Sequence, residues 1–226
     1  MNRPTGILLV DKAPGSTSFQ IVSQLRRLTR EQTIGHAGTL DPFATGVMVL
    51  LIGREFTRRS DQFLGAEKQY KATLHLGIAT DTYDLDGQIT AKSDLVPTLE
   101  QVNEALQTFQ QEIFQIPPMF SAKKIAGKKL YELARKGQTI ERQPIKVHVE
   151  IQLLKFTYPY LEIVVNCSKG TYIRSLAHDI GQFLGSFAHL SSLTRLKSGQ
   201  FTLEECIPQT DLINLNFDIT PHLRNL

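Results

Sequence analysis

The 226-residue sequence predicts an α+β fold on a mixed, mostly antiparallel central sheet flanked by helices and loops. Three observations carry that expectation. Val47 to Ile52 is apolar at every position, as a strand buried on both faces requires. Tyr70 to Leu76 alternates polar and apolar side chains, the pattern of a strand with one wet face. Strand and helix periodicities also mix along the chain without the regular strand-helix-strand cadence of a doubly wound sheet.

The elements follow in order. Gly6 to Val10 reads as a buried strand. Ser16, Thr17 or Ser18 caps a helix whose apolar positions Ile21, Val22, Leu25 and Leu28 keep helical spacing and leave Arg26, Arg27 and Arg30 more exposed. A glycine-rich loop, "GHAGTLDPFATG" (35–46), leads into the 47–52 strand. Helices are expected at Leu99 to Phe109, Lys128 to Arg135 and Tyr172 to Leu184, the last after the turn "SKGT". Ile145 to Leu154 and Leu161 to Val165 are further strands. No internal repeat or linker interrupts the chain, so residues 1–226 are expected to form a single domain.

Composition narrows the function. A 41% hydrophobic share is ordinary for a globular chain with a sizeable core. Cys167 and Cys206 lie far apart with no CxxC pair, which suggests neither a disulfide framework nor a thiolate metal cluster, and fits a reduced, cytoplasmic setting. The longest apolar run, Val47 to Ile52, is far below the roughly 20 residues of a membrane helix. Net charge is only +3, yet it is unevenly spread. Eight lysines and arginines face two glutamates between Ser121 and Lys146, whereas seven acids face Lys92 alone between Asp81 and Glu112. Each run can be a solvated face. The basic one also suits a polyanion such as RNA.

Several motifs fail on inspection. "DTYDLDG" opens like a calcium loop, but a loop with Gly87 at its sixth place would start at Thr82 and end at Ser93, without either anchoring carboxylate. "IAGKKL" lacks the first glycine and the final hydroxyl of a phosphate loop. Ser175, His178 and Asp179 share one predicted helix and do not make a triad, which converges from separate elements. The six histidines show no zincin-like spacing. Neither a metal nor any other cofactor is therefore expected.

The 35–46 loop is different. Gly35, Gly38 and Gly46 open backbone angles closed to other residues, and Asp41 before Pro42 is steered away from helix, so the loop can present its carboxylate. Asp41 could equally close an Asx turn, and His36 could be a structural histidine. Together, however, "GHAGTLDPFATGVMVLLIG" resembles the central motif of the bacterial TruB family of tRNA pseudouridine synthases, whose aspartate is catalytic. "GILLVDKAPGSTS" (6–18), "KQYKATLHLGIATDTYDLDG" (68–87), "PPMFSAKKIAGKKLYELARKG" (117–137) and "CSKGTYIRSLAHDIG" (167–181) resemble its other blocks, in family order.

That resemblance implies the pseudouridine-synthase fold and the isomerisation of uridine-55 in the tRNA T loop to pseudouridine. The ribose leaves N1 of the uracil and rejoins it at C5. One bond is exchanged for another, so no energy source or cofactor is needed. An aspartate is ionised at neutral pH and stays so in a buried site if a cation accompanies it. By resemblance Asp41 is the nucleophile and Arg174 its cation, with a planar fork that never loses charge. Tyr70 is implied to stack on the base and act in C5 deprotonation. A target buried in the T loop must be flipped out, with His36 filling the gap. Tyr172 and Leu193 line the pocket, and Lys12, Lys123, Lys124, Lys169 and Arg195 are implied phosphate contacts.

Longer relatives carry a C-terminal RNA-binding domain of the PUA type. Only 25 residues follow Phe201 here, so no such domain is expected and binding should be steeply salt-dependent. The expected partner is the tRNA T stem-loop, bound by a monomer. Two other readings remain open: a tRNA-binding chaperone that modifies nothing, and a glycosidase, for which no second carboxylate motif is present.

Overall fold

The computed structural model describes residues 4–121, 123–125 and 127–225, with the side chain of Lys124 outside that description. In chain order the main elements are β1 (Gly6–Lys12), α1 (Ser18–Thr29), β2 (Ile34–His36), β3 (Thr45–Ile52), α2 (Arg54–Thr57), α3 (Ser60–Leu64) and β4 (Lys68–Leu76). Then come β5 (Ile78–Thr80), β6 (Ile89–Lys92), α4 (Leu99–Thr108), β7 (Gln111–Gln115), β8 (Lys124–Ile125), β9 (Lys128–Lys129) and α5 (Leu130–Ala134). The rest are β10 (Ile145–Thr157), β11 (Tyr160–Cys167), α6 (Ile173–Phe183), β12 (Ala188–Ser198), β13 (Phe201–Thr202) and β14 (Ile207–Pro208).

Two compact units emerge, one from residues 1–70 and 193–226, the other from residues 71–192. The division falls inside β4 and inside β12.

In the first unit the strand order is β14-β1-β3-β12, with β2 also on β3 and β13 on β12. β1 is antiparallel to β3, while β3 is parallel to β12, so the sheet is mixed. β3 is buried from Gly46 to Ile52, which is why its sequence shows no polar alternation. Ile7, Leu9, Val47, Val49 and Leu51 share one core with Phe56 and Phe201. Thr17 caps α1 in a capping box with Gln20, and the predicted face of Ile21, Val22 and Leu25 is buried.

In the second unit the order is β12-β4-β11-β10-β7, with β10 antiparallel to both β11 and β7. β11 alternates cleanly, burying Leu161, Ile163, Val165 and Cys167. α4 begins at a Thr98 capping box and buries Val102, Ala105 and Leu106. The expected helix over 128–135 is shorter. Lys128 and Lys129 instead pair with Lys124 and Ile125 in a small hairpin that turns at Gly127, whose φ is 80°, and the helix starts at Leu130.

Candidate active site

The 35–46 loop belongs to the first unit and is tied down through its backbone. Ser18, whose hydroxyl was free to cap α1, instead accepts from Leu40 N at 3.0 Å and donates to Leu40 O at 3.2 Å. Gly15 N donates to the Pro42 carbonyl, Ala37 N to that of Val49 and Ala44 N to that of Asp41. Asp41 is half-buried at the turn. His36 ends β2 with its Nδ1 buried and lacking a hydrogen-bond partner. Burial, reinforced by the Arg195 charge, lowers its pKa, so the imidazole is neutral at physiological pH.

Two buried cations hold this loop from either side of one glycine. The register sets Gly46 of β3 opposite Lys12 of β1 and opposite Arg195 of β12. Lys12 is wholly buried, and its ammonium donates to the carbonyls of Ala13 (3.0 Å), Pro42 (2.9 Å) and Ala44 (2.6 Å). Arg195, 1% exposed, donates to the carbonyls of Val47 (2.7 Å) and Gly38 (3.2 Å). Both expected phosphate contacts are thus turned inward: the Lys12 ammonium has its three donors on backbone carbonyls, and Arg195 directs Nε and Nη2 to two more. Burial lowers the Lys12 pKa to about 8, with Arg195 acting in the same sense and the Asp41 carboxylate opposing it.

Tyr70 is half-buried on β4, two residues after Lys68. The Lys68 ammonium is itself buried on the carbonyls at the end of α3, 2.8 Å from Leu64 O and 2.5 Å from Ala66 O. Cations are favoured at a helix C-terminus, so Lys68 fixes the approach to β4. Leu193, 6% exposed, lies on β12 in the same unit.

In the second unit a cation is presented. Arg174 sits in the first turn of α6 with a buried side chain whose Nη1 lies 3.0 Å from Thr82 O and 3.4 Å from Asp84 Oδ2, while Nη2 donates to Phe120 O at 2.7 Å. Asp84 is buried too, and its Oδ1 accepts from the Thr82 hydroxyl (2.6 Å) and Asp86 N (3.1 Å). Each charge thus has further polar partners, without which a buried ion pair would not repay its desolvation. α6 has no side-chain N-cap. Instead buried Gln115 bonds both the amide (3.0 Å) and the carbonyl (3.3 Å) of half-buried Tyr172, and Ser175 donates to Ile116 O. Lys169 is exposed in the preceding turn, as a phosphate contact would be. Lys123 is half-buried.

Sequence reasoning missed Asp84 and Gln115. Asp84 was visible only as part of a failed calcium loop, and a lone glutamine in a short strand carries no signal. β12 was missed because Arg195 and His189 take inward positions where apolar residues would have shown the alternation.

A family model described as TruB family pseudouridylate synthase (N terminal domain) matches residues 26–173, and one described as tRNA pseudouridylate synthase B C-terminal domain matches residues 174–221. A protein of Chlamydia muridarum named tRNA pseudouridine synthase B is 57% identical over 220 residues, covering 97% of this chain and 91% of the relative. One of that name from Clostridium tetani is 44% identical over 209 residues, 92% of this chain and 72% of the relative. Among solved structures, a chain of a Cbf5-Nop10-Gar1 complex superimposes with a TM-score of 0.72 at 30% identity. It covers 93% of this chain, which spans 54% of that one. A chain of an H/ACA RNP bound to a substrate RNA containing 2'-deoxyuridine gives 0.69 at 28% identity, with 93% and 53% covered. Among the described residues, no helix is long and apolar enough to cross a membrane.

Proposed function

Because this chain belongs to the TruB family of pseudouridylate synthases, with the pseudouridine-synthase fold, we propose that it isomerises uridine-55 in the T loop of tRNA to pseudouridine, in the cytoplasm. Its near full-length relatives named tRNA pseudouridine synthase B support tRNA as the substrate. Asp41 acts at the sugar–base junction. The N1–C1' bond breaks, the detached uracil turns in place, C5 bonds to C1', and the C5 proton leaves with Tyr70 placed to take part. Arg174 supplies a permanent positive charge for a carboxylate working away from bulk water. Neutral His36 is an apolar-faced ring suited to fill the gap left by a flipped base, and Leu193 and Tyr172 pack about the uracil. Exposed Lys169 meets phosphate, and the T stem-loop docks on a monomer.

The observation that carries this reading is the construction of the 35–46 loop. Its carbonyls accept from Lys12 and Arg195, so the loop's shape is fixed with half-buried Asp41 at its turn. A loop built only to close an Asx turn would not need two buried cations.

The test is tritium release from transcript tRNA carrying C5-labelled uridine. Asp41→Asn is expected to abolish release, by at least about 10³-fold, while binding tRNA with unchanged affinity. Release at the parental rate would sink the nucleophile assignment. No release from the parent protein would leave a tRNA-binding protein instead.

A further inference from the structure

We propose that Tyr83 and His178 are positioning residues for Arg174: their stacked rings fix the turn whose carbonyl and carboxylate aim the guanidinium. The inference rests on the reading of Arg174 as part of the reaction site.

Tyr83 stands in the left-handed region, with φ of 64°. For a bulky L-residue this conformation is strained, and it persists only where the surroundings over-determine it. Glycine would sit there freely. What holds Tyr83 is a near-parallel stack on His178, with ring centroids 4.0 Å apart and planes 15° from one another. Its carbonyl also accepts from Leu190 N at 3.0 Å. The residues on either side of it are the two that bind the arginine: Thr82 offers its carbonyl at 3.0 Å and Asp84 its carboxylate at 3.4 Å.

His178 lies four residues after Arg174 on α6, so the two side chains share one face of the helix. The 80–87 turn is therefore fastened to that face twice, by charge at Arg174 and by ring contact at His178. Phe120 O lies outside that turn, but Thr82 O and the Asp84 carboxylate move with it, so they aim the guanidinium only where the turn is itself held. The ring contact supplies an independent reference. The Nδ1 of His178 is buried with no hydrogen-bond partner, and burial lowers the pKa of the ring, so at this face it offers a neutral packing surface. Within the turn, Thr80 Oγ1 donates to Asp84 O at 2.7 Å and transmits the placement to the carboxylate residue.

The experiment compares single-turnover rate at saturating tRNA, tRNA affinity and Tm across six variants. Tyr83→Phe and His178→Phe keep a flat ring and are expected to stay within about twofold of the parent in rate, because misplacement is what costs catalysis. Tyr83→Ala, Tyr83→Gly and His178→Ala are expected to lose about 10- to 100-fold in rate with affinity unchanged, the loss typical of a misplaced catalytic group. Tyr83→Gly removes the backbone strain, so its Tm is expected to hold, and slow turnover there separates positioning from folding. Arg174→Ala is expected to be inactive. If Arg174→Ala is inactive while Tyr83→Gly and His178→Ala keep the parental rate, or lose rate only in step with Tm, the stack is structural and the inference falls alone. If Arg174→Ala keeps the parental rate, the underlying reading of Arg174 fails instead.

Discussion

The Asp41 loop and the Arg174 turn solve opposite problems with the same materials. Around Asp41 the buried cations Lys12 and Arg195 direct donors to backbone carbonyls, and the loop they hold carries half-buried Asp41 at its turn. Around Arg174 a carboxylate, Asp84, and two carbonyls hold a guanidinium in place. Lys12, Arg195 and Arg174 are all buried cations, and neither residue type nor burial tells them apart. The identity of the acceptors does: backbone carbonyls for Lys12 and Arg195, a carboxylate as well for Arg174.

The scaffold side of that comparison is most easily broken at Gly46. A Cβ there would meet the backbone of Arg195, whose nitrogen would lie 2.7 Å away, and φ is already 101°. Gly46→Ala is expected to cost about 3 kcal/mol or more, combining left-handed strain with overpacking against backbone that cannot yield. For a chain of this size that is a fall of roughly 6–12 °C in Tm by calorimetry. A fall under a degree would show that β3 and β12 are looser at this point than their register implies.

Lys12→Met comes next. It removes the three hydrogen bonds that gather Ala13, Pro42 and Ala44, leaving buried carbonyls short of a donor, although Pro42 O keeps the Gly15 amide. We expect a loss of about 2 kcal/mol and a fall in kcat with little change in KM. The slope of binding against salt should be unchanged. A phosphate contact would behave otherwise, lowering that slope by about 1 and weakening binding. Lys169→Ala is the control for that alternative: the lysine is exposed, so Tm should hold while the salt slope falls by about 1.

These contrasts mark what the sequence made legible. Strands and helices whose burial follows a single period, such as β3, β11 and α1, could be read from apolar spacing, and Thr17 capped where capping chemistry allowed. The Asp41 loop was legible because its motif resembles that of a known family, while its three glycines and Asp-Pro step taken alone left an Asx turn equally open. The scaffolding cations were not. Lys12 stands beside Asp11 at the end of an apolar strand and looks like a surface residue, and only pairing with β3 turns its ammonium inward. Asp84 was opaque for the same reason, since its partner lies 90 residues further along the chain. Long-range polar pairing leaves no periodic trace.

The smallest effect sharpens the Arg174 side. α6 carries one acid, Asp179, and here burial pushes the pKa from 3.8 up to about 6, with no cation among the causes. Asp84 has a guanidinium beside it. Because the folded-state pKa of Asp179 is the higher one, the native protein binds more protons than the unfolded chain between pH 3.8 and about 6. Stability from this group therefore falls as pH rises through that window, and the penalty is complete above it. Asp179 is only half-buried, so water relieves much of the cost, and about 0.5–1 kcal/mol is the expected remainder. Asp179→Asn should raise Tm by roughly 1–3 °C at pH 7.5 and leave it unchanged at pH 3.5. A variant that loses stability at pH 7.5 would mean that Asp179, like Asp84, has a cation of its own.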